Sequence, residues 1–465
     1  MMEFMVCPVR ENARLHPRSP AVVSDSGTWT WSELDSLVNG AERALHEHGP
    51  EGTRVGVQMQ NNVQYVALIL AALRTGHVLA LLSTRLPGQS IRALSKHVGT
   101  DAVIKEADFL PTPETSSAPI PLNRSATIVF TSGTTGAPKA ALHTVDNHLW
   151  SARGLSQEIP LRPDDRWLVN LPLYHVGGLA IVYRCALSGA AIVLPEETKQ
   201  TGAAIESFGV THTSLVSTQL YRLLQDESAN HSLKVLLLGG GPVSPDVLQE
   251  AHERGLPLFT SYGLTEMAST VSVAKPSVCR EHPSTSGSIL PYREVVVRDD
   301  EIHVRGPVRF AGYVTAQGLD NPFDDEGWFA TGDLGFFDEA GRLFITGRKD
   351  NQFVSGGENI QPEEIERVLE TIPEIVGAIV VSVSDTEFGR RPFAFVETVR
   401  EKMPETEITR LLDAQLPRFK HPVVVIPLPT VGEEKPSRVM LRARAEQWLE
   451  KQKGSFQEKP PLEFD

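Results

Sequence analysis

The chain has 465 residues, of which 41% are hydrophobic and 22% charged, a composition typical of a globular protein with a buried core. At ~150 residues per domain, this length suggests roughly two to four domains. Its 44 basic and 58 acidic residues give a formal net charge of −14, which argues against a general binder of nucleic acid or anionic membranes. An anionic ligand would therefore need a locally basic pocket.

Cysteine usage and the N-terminus indicate the compartment. Cys7, Cys185 and Cys279 are far apart and form no C-x-x-C pair, so neither a disulfide framework nor a zinc site is suggested. The first residues lack the basic start and long apolar core of a signal peptide. The most apolar stretch, 65–82, is interrupted at 74–77, which predicts a buried helix, a turn and a strand rather than a membrane span. We expect a cytoplasmic protein.

Helical and strand patterns alternate through the first 290 residues. Leu34, Leu37 and Val38 are spaced for one helical face. Short apolar runs suited to buried strands are 54–59, 126–130, 190–194 and 234–238. The alternation predicts an α/β fold, with parallel-rich sheets flanked by helices. Ligands in such sheets bind beyond the carboxyl ends of strands.

The pattern changes after about residue 290. Segments 295–298 and 301–305 alternate like exposed antiparallel strands, which predicts a β-subdomain. Segment 341–350 is a strand with a charged turn, and 362–369 is a helix with Pro362 at its first position.

We place a domain boundary near Lys349. The predicted units are a large N-terminal domain, 1–348, a small α+β C-terminal domain, 349–450, and a polar tail, 451–465, that we expect to be poorly ordered.

The loop from Thr131 to Lys139 carries four hydroxyls, two glycines and one lysine directly after a predicted strand. Backbone amides, hydroxyls and an ammonium together suit a polyphosphate. The spacing is not that of a Walker loop. For the loop alone, an ordinary Gly/Thr-rich turn is the competing interpretation.

Further polar segments follow in a fixed order. They are 171–175 with Gly177 and Gly178, 238–242 with three glycines, 261–266, 328–333, 347–350 and 355–359. Each residue considered alone has a competing structural interpretation: Tyr262 would be a core residue, Asp333 a turn cap, Glu266 a surface acid and His175 a structural histidine.

Taken together and in this order, these motifs resemble the adenylate-forming superfamily of acyl-CoA ligases, over roughly residues 10 to 450. The resemblance implies a mobile C-terminal domain and, as reactants, ATP, Mg²⁺ and a carboxylic acid. Because a carboxylate must meet an anionic α-phosphate, the chemistry depends on positioning and electrostatic stabilisation.

The resemblance assigns the nucleotide site residue by residue. Glu266 would ligate Mg²⁺, Thr265 would face the α-phosphate, Tyr262 would stack on adenine, Asp333 would accept the ribose hydroxyls, and His175 would gate the acyl pocket. The full ATP-binding set is Thr131, Ser132, Gly133, Thr134, Thr135, Gly136, Lys139, Gly239, Gly240, Gly241, Pro242, Ser261, Tyr262, Gly263, Asp333 and Arg348.

A lysine near the C-terminus is expected to bridge the acid and the α-phosphate. We assign this catalytic role to Lys435, although Gly432 lies three residues before it rather than next to it; Lys420 and Arg438 are the rivals. Asp350 would be the hinge between an adenylating pose and a thioester-forming pose. Its alternative role is that of a capping aspartate. Ser355, Gly356 and Gly357 would come over the site in the second pose.

Segments 355–366, 388–392 and 418–422 resemble the o-succinylbenzoate–CoA ligases of menaquinone synthesis, as do 182–184 and 213–220. CoA would then be the second substrate. The acid has two carboxylates, and Arg184 is our candidate for the one that is not activated; a surface arginine at a helix end is the alternative. Ser217, Thr218, Gln219 and Gly241 complete the predicted acid pocket.

Other functions remain open at this point. The alternatives are another aryl- or acyl-CoA ligase, a carrier-protein loading domain, and a non-catalytic adenylate-binding protein. The last has no need of both Lys139 and Lys435. A homo-oligomer is compatible with every one of them.

Overall fold

The computed structural model describes residues 3–100, 102–113, 118–131, 138–196, 199–226, 232–241, 243, 245–399, 405–429 and 437–454. Its first elements are β1 (Phe4–Met5), α1 (Pro8–Leu15), β2 (Pro20–Ser24), β3 (Gly27–Thr30), α2 (Trp31–Glu47), β4 (Arg54–Val57), α3 (Val63–Thr75), β5 (Val78–Leu81), α4 (Gly88–His97), β6 (Val103–Ile104), β7 (Ile120–Pro121), β8 (Ser125–Thr131), β9 (Lys139–Thr144) and α5 (Val145–Glu158).

The middle of the chain continues with β10 (Arg166–Leu168), α6 (Val176–Ser188), β11 (Ala191–Leu194), α7 (Thr201–Phe208), β12 (His212–Leu215), α8 (Ser217–Leu224), β13 (Val235–Leu238), α9 (Pro245–Glu253), β14 (Leu258–Leu264), a 3₁₀ turn (Thr265–Met267), β15 (Ser269–Ala274), α10 (Pro276–Glu281), β16 (Thr285–Ile289), β17 (Glu294–Arg298) and β18 (Glu301–Arg305).

The remaining elements are β19 (Gly312–Thr315), β20 (Gly318–Asp320), β21 (Phe329–Phe337), β22 (Leu343–Arg348), a 3₁₀ turn (Lys349–Asn351), β23 (Phe353–Ser355), β24 (Glu358–Ile360), α11 (Pro362–Leu369), β25 (Ile375–Asp385), β26 (Gly389–Thr398), α12 (Glu405–Gln415), a 3₁₀ turn (Arg418–Lys420), β27 (Val425–Pro427) and α13 (Arg438–Gly454).

Two large sheets form most of the molecule. The first has the order β17-β18-β21-β22-β16-β15-β14-β13-β12-β10-β11-β2-β3, and the second β20-β19-β9-β8-β5-β4-β6. The short apolar runs at β11 and β13 are buried and pair in parallel with their neighbours, as the sequence predicts. β17 and β18 pair antiparallel, which confirms the predicted β-subdomain pattern.

Local sequence signals explain two helices that support these sheets. Thr30 caps α2 in a capping box, because its hydroxyl accepts from the backbone N–H of Glu33 while the Glu33 carboxylate accepts from that of Thr30. The apolar run from residue 65 folds as the buried helix α3, which ends at Gly76 with φ 75°, and β5 follows. The predicted helix, turn and strand are confirmed. No helix within the described part of the chain could span a bilayer.

The phosphate-loop candidate lies in a β-hairpin. β8 and β9 pair antiparallel, with Thr131 opposite Lys139, so the loop joins two neighbouring strands of the second sheet. The sequence predicts the strand before the loop but not the strand after it. Residues 132–137 lie outside the described residues.

The last third of the chain has a sheet of its own. β25, β26 and β27 form a three-stranded sheet, and two hydrophobic clusters in this region contain only residues from Phe353 onward. The α+β character of this part is confirmed, whereas the boundary at residue 349 stays a prediction. The predicted start of the tail at residue 451 is too early, because α13 continues to Gly454. Residues 455–465 lie outside the described residues.

Candidate active site

A cleft of about 2840 Å³ collects most of the described candidates. Those that line it are Thr131, Lys139, His175, Ser217, Thr218, Gln219, Gly240, Gly241, Ser261, Tyr262, Gly263, Thr265, Glu266, Asp333, Arg348 and Asp350. Five described candidates are not among its lining residues, namely Gly239, Arg184, Ser355, Gly356 and Gly357. Ser132, Gly133, Thr134, Thr135, Gly136, Pro242 and Lys435 lie outside the described residues.

Asp333 is held from two sides. Arg348 Nη1 donates to Asp333 Oδ1 at 2.8 Å, and the Tyr262 hydroxyl donates to Oδ2 at 2.6 Å. The pairing of β21 with β22 places Asp333 directly opposite Arg348. Burial first, and then the Asp333 charge, raise the pKa of the Tyr262 phenol well above its ordinary value, so it stays a donor. The carboxylate therefore has a fixed orientation, and each oxygen keeps a lone pair for a further donor such as a ribose hydroxyl.

A glycine ledge follows β13. Gly240 lines the cleft and has φ 86°. Residues with a side chain rarely adopt this backbone conformation. A Cβ at Gly239 would lie 2.9 Å from Ser261 Oγ, which donates to the Leu238 carbonyl at 2.9 Å. Gly239 therefore packs against β14 beneath the ledge, while Gly240 and Gly241 form its exposed surface.

Glu266 has a partner that the sequence did not suggest. The Tyr313 hydroxyl donates to Glu266 Oε1 at 2.6 Å, and Lys139 Nζ lies 5.0 Å from the centre of the Tyr313 ring. Among the described residues, no group of three His, Cys, Asp or Glu side chains could hold a metal. A lone carboxylate fits Mg²⁺ that is bound mainly by phosphates and water, so Glu266 would hold it together with a nucleotide.

His143 is a second residue that the sequence did not suggest. Its Nε2 lies 2.7 Å from the Thr265 carbonyl oxygen, and burial lowers the pKa of its imidazole to about 4. A neutral imidazole therefore donates to this carbonyl at physiological pH and fixes the main chain beside Glu266. A histidine in the strand sequence Ala-Ala-Leu-His-Thr carries no local signal of this contact.

His175 lies at the cleft margin. It is exposed, occupies the N-cap position of α6, and its ring lies 4.7 Å from that of Tyr174. This position is compatible with the predicted gate of an acyl pocket. The choice between this role and that of a structural histidine stays a prediction.

Arg184 is buried in the interior, where 5% of the residue is exposed, so the surface-arginine alternative is wrong. Its Nη2 donates to Thr270 Oγ1 at 3.2 Å, and its guanidinium lies 5.1 Å from the Trp167 ring. Burial lowers the pKa of this guanidinium to about 10. It pairs with no carboxylate among the described residues, and its Nε has no hydrogen-bond partner there. An uncompensated buried cation of this kind is costly unless a ligand completes it.

The acid pocket is therefore arranged differently from the prediction. Ser217 and Thr218 begin α8 at the cleft, whereas Arg184 contacts β15 and lines a separate cavity with Trp167. Gln219 lines the cleft but is tied to the protein, because its Oε1 accepts from Val216 N at 3.1 Å and its Nε2 donates to the Asn170 carbonyl at 3.1 Å. Gln219 thus caps α8, and its role as a free acid ligand is not supported.

Both rivals of Lys435 have structural partners. Lys420 Nζ lies 2.6 Å from Glu364, and Arg438 lies 2.6 Å from Glu366 and also donates to the Val380 carbonyl. These ion pairs hold α11 against the C-terminal elements, which disfavours both as mobile catalytic cations.

The hinge and loop candidates are placed as follows. Asp350 lies in a 3₁₀ turn and accepts from Arg348 Nη2 at 3.0 Å. Ser355, Gly356 and Gly357 form the turn of the β23–β24 hairpin, where a Cβ at Gly356 would lie 2.7 Å from the Phe388 ring. In this structure the loop thus packs beside Phe388. Its swing over the site stays a prediction.

Comparison with known proteins agrees with this geometry. A family model described as AMP-binding enzyme matches residues 9–119 and 105–318. The chain is 34% identical to a 2-succinylbenzoate–CoA ligase of Bacillus pumilus over 93% of this chain and 96% of that protein. It superposes with a TM-score of 0.85 on an Escherichia coli MenE variant with bound OSB-AMS, at 32% identity over 96% and 99% of the two chains.

A third relative is solved with a nucleotide. It is the Bacillus subtilis o-succinylbenzoate coenzyme A synthetase (MenE) in complex with ATP and magnesium ion, with a TM-score of 0.84 and 27% identity over 94% of this chain and 98% of that chain. The chain belongs to the AMP-binding enzyme family and, within it, to the 2-succinylbenzoate–CoA ligases.

Proposed function

We propose that the protein joins o-succinylbenzoate to CoA in two steps. The acid carboxylate first attacks the α-phosphorus of ATP, which forms the acyl-adenylate and releases pyrophosphate. The CoA thiol then attacks the acyl carbonyl, loses its proton, and releases AMP as the carbonyl re-forms. The observation that carries the choice of acid is Arg184, a buried cation that pairs with no carboxylate among the described residues.

The surroundings of Arg184 suit a polar acid rather than a fatty chain. Its Nη2 donates to Thr270 Oγ1 at 3.2 Å and to Ser269 Oγ at 3.4 Å, and its Nε has no partner among the described residues. A long alkyl chain would leave the Arg184 guanidinium without an acceptor, whereas a second carboxylate could accept from it. We therefore assign the carboxylate that is not activated to Arg184.

The residues of the cleft have distinct roles in adenylation. Tyr262, Asp333 and Arg348 orient the adenosine, while Lys139 binds the phosphates that leave as pyrophosphate. Magnesium, when held by Glu266 and the phosphates, would neutralise charge on the nucleotide. Lys435 supplies the cation between the acid and the α-phosphate.

The proposal includes a change of pose and a location. The C-terminal part rotates at Asp350 after adenylation, which brings Ser355, Gly356 and Gly357 toward the acyl-adenylate. All three cysteines are free and buried, which fits the reducing cytoplasm. A homo-oligomer is compatible with this account.

Pyrophosphate release tests the substrate. The enzyme is incubated with Mg²⁺, ATP and each of o-succinylbenzoate, benzoate, succinate and a fatty acid, with and without CoA. We expect release to be fastest with o-succinylbenzoate, and a thioester of that acid to form when CoA is present. Preference for benzoate or a fatty acid would favour a different acyl-CoA ligase, and no release with any acid would favour a non-catalytic binder.

A further inference from the structure

Tyr313 lies where the two large sheets meet at the cleft. It is on β19, the neighbour of β9 in the second sheet, while Glu266 follows β14 of the first sheet. The hydroxyl-to-carboxylate contact of 2.6 Å therefore joins the sheets beside the nucleotide site. Neither the motifs nor the comparisons assign a role to this residue.

The segment around Tyr313 holds Glu266 through main chain and side chain together. Phe310 N donates to the Glu266 carbonyl oxygen at 2.8 Å, three residues before Tyr313 donates to the carboxylate. The Tyr313 ring packs against Phe310 at 4.8 Å between ring centres, and 7% of the residue is exposed. Gly312 has φ 143°, and a Cβ there would lie 2.3 Å from the Asp320 carbonyl oxygen. The position of the tyrosine is thus fixed by its whole surroundings.

The same ring faces the phosphate-binding lysine. Tyr313 pairs with Ala141 across β19 and β9, and Lys139 lies two residues before Ala141 on the same face of β9. Lys139 Nζ lies 5.0 Å from the ring centre, within the range of a cation–π contact. One side chain therefore touches a carboxylate with its hydroxyl and an ammonium with its ring.

We propose that Tyr313 is a positioning residue that fixes Glu266 and Lys139 relative to each other for Mg²⁺-bound ATP. Its hydroxyl occupies one lone pair of Glu266 Oε1, and Glu266 lines the cleft. Its ring limits the positions that the Lys139 ammonium can take. Because a nucleotide with its metal must meet both charges at once, fixing their separation favours binding of that complex over binding of free ATP. The inference rests on the proposed use of ATP but not on which acid is activated.

The test compares two Tyr→Phe variants of the full chain. Tyr313→Phe removes only the hydroxyl and keeps the ring under Lys139. Tyr65→Phe is the matched control, since Tyr65 is fully buried in α3 and its hydroxyl has no partner among the described residues. Binding is measured by calorimetry without any acid, using ATP with excess Mg²⁺ and ATP with EDTA.

We expect Tyr313→Phe to weaken binding of Mg²⁺-bound ATP about tenfold and binding of free ATP about twofold or less, while Tyr65→Phe leaves both within about twofold of wild type. Tyr313→Leu, which also removes the ring, should weaken both forms of ATP. Equal affinities for Tyr313→Phe and Tyr65→Phe would overturn the inference, as would an equal loss with and without the metal.

Two controls distinguish the role of Tyr313 from a loss of stability and from a wrong choice of acid substrate. The thermal unfolding midpoint without ligand is measured for each variant. A Tyr313→Phe variant that keeps the wild-type midpoint and loses affinity only for Mg²⁺-bound ATP has no general folding defect. If wild type binds Mg²⁺-bound ATP but releases no pyrophosphate with o-succinylbenzoate, the proposed acid is wrong and the role of Tyr313 still stands. If wild type itself does not bind ATP, both fail.

Discussion

The Tyr262 hydroxyl donates to Asp333 Oδ2 at 2.6 Å, across 71 residues of sequence, and so links the end of β14 to β21 in the cleft. This bond orients the carboxylate before any nucleotide enters. Tyr262→Phe should raise the KM for ATP several-fold and leave the KM for the acid within about twofold, because only the nucleotide meets Asp333 directly. It should also lower the free energy of unfolding by about 1–3 kcal/mol, since a buried acceptor loses a donor.

Steady-state kinetics in each substrate and urea unfolding check this expectation. Arg348→Lys is the companion variant, because it keeps a cation at the other Asp333 oxygen but loses the planar guanidinium. An unchanged KM for ATP in Tyr262→Phe would contradict the role given to the phenol.

Replacing Arg184 tests whether this residue binds the acid or stabilises the fold. Arg184→Met should raise the KM for o-succinylbenzoate about 10–100-fold, the cost of lost charge-assisted hydrogen bonds, and leave the KM for ATP unchanged. It should not destabilise the free protein, because a buried cation that has no carboxylate partner in the described part of the chain is itself unfavourable. Kinetics and urea unfolding measure both effects.

Arg293 provides the contrast. Its guanidinium is also buried, but it donates to the carbonyls of Thr270, Pro291 and Ser151 at 3.0, 2.7 and 3.1 Å. Arg293→Met should therefore destabilise the protein by leaving these acceptors unsatisfied. If Arg184→Met loses stability as Arg293→Met does and keeps its KM for the acid, Arg184 is structural.

Buried histidines make stability depend on pH. Burial lowers the pKa of His143 and of His212 to about 4, from an ordinary value of 6.5. The unfolded chain therefore binds more protons between those values, so stability rises with pH in this window and is lost as pH falls toward 4. Each group contributes roughly 2 kcal/mol between pH 5 and pH 7. Urea unfolding at a series of pH values measures the slope.

His212→Gln should flatten this slope, and His16→Gln should not, because His16 is exposed. His212 is 1% exposed and its Nε2 has no partner among the described residues, so the substitution removes a titrating group without breaking a bond at that atom. Identical slopes for His212→Gln and wild type would show that burial of this imidazole does not set the pH dependence.

The catalytic role assigned to Lys435 can be tested by measuring the two partial reactions separately. Lys435→Ala should slow pyrophosphate release at least ~100-fold, since the cation between two anions is lost. It should leave thioester formation from supplied acyl-adenylate nearly intact. Lys420→Ala is the control, and its loss of the Glu364 ion pair should affect stability more than adenylation. Equal loss of both partial reactions in Lys435→Ala would refute the assignment.

The sequence predicts those parts of the site that consist of contiguous motifs. Glu266, Asp333 and Arg348 each lie within such a motif, and the structure brings all three to one cleft. The alternation of helices with short apolar runs likewise predicts the parallel core, because burial on both faces leaves a local hydrophobic signal.

The contacts that orient these residues could not be predicted in this way. Tyr313 contacts Glu266 from 47 residues away along the chain, and His143 contacts Thr265 from 122 residues away. Both Tyr313 and His143 lie on strands of the second sheet. Their own strand sequences indicate only pairing. The burial of Arg184 is equally non-local, because it depends on β15 packing over α6 rather than on the residues beside it.

An isotope experiment shows whether the enzyme activates the acid as its adenylate. o-Succinylbenzoate labelled with ¹⁸O in its carboxylates is converted with ATP, Mg²⁺ and CoA, and the phosphorus products are analysed by mass. We predict one ¹⁸O atom in AMP and none in pyrophosphate, because the attacking carboxylate oxygen stays on the α-phosphorus when the thiol displaces it. Label in inorganic phosphate with formation of ADP, or unlabelled AMP alongside the thioester, would show that the acid is not activated as an acyl-adenylate.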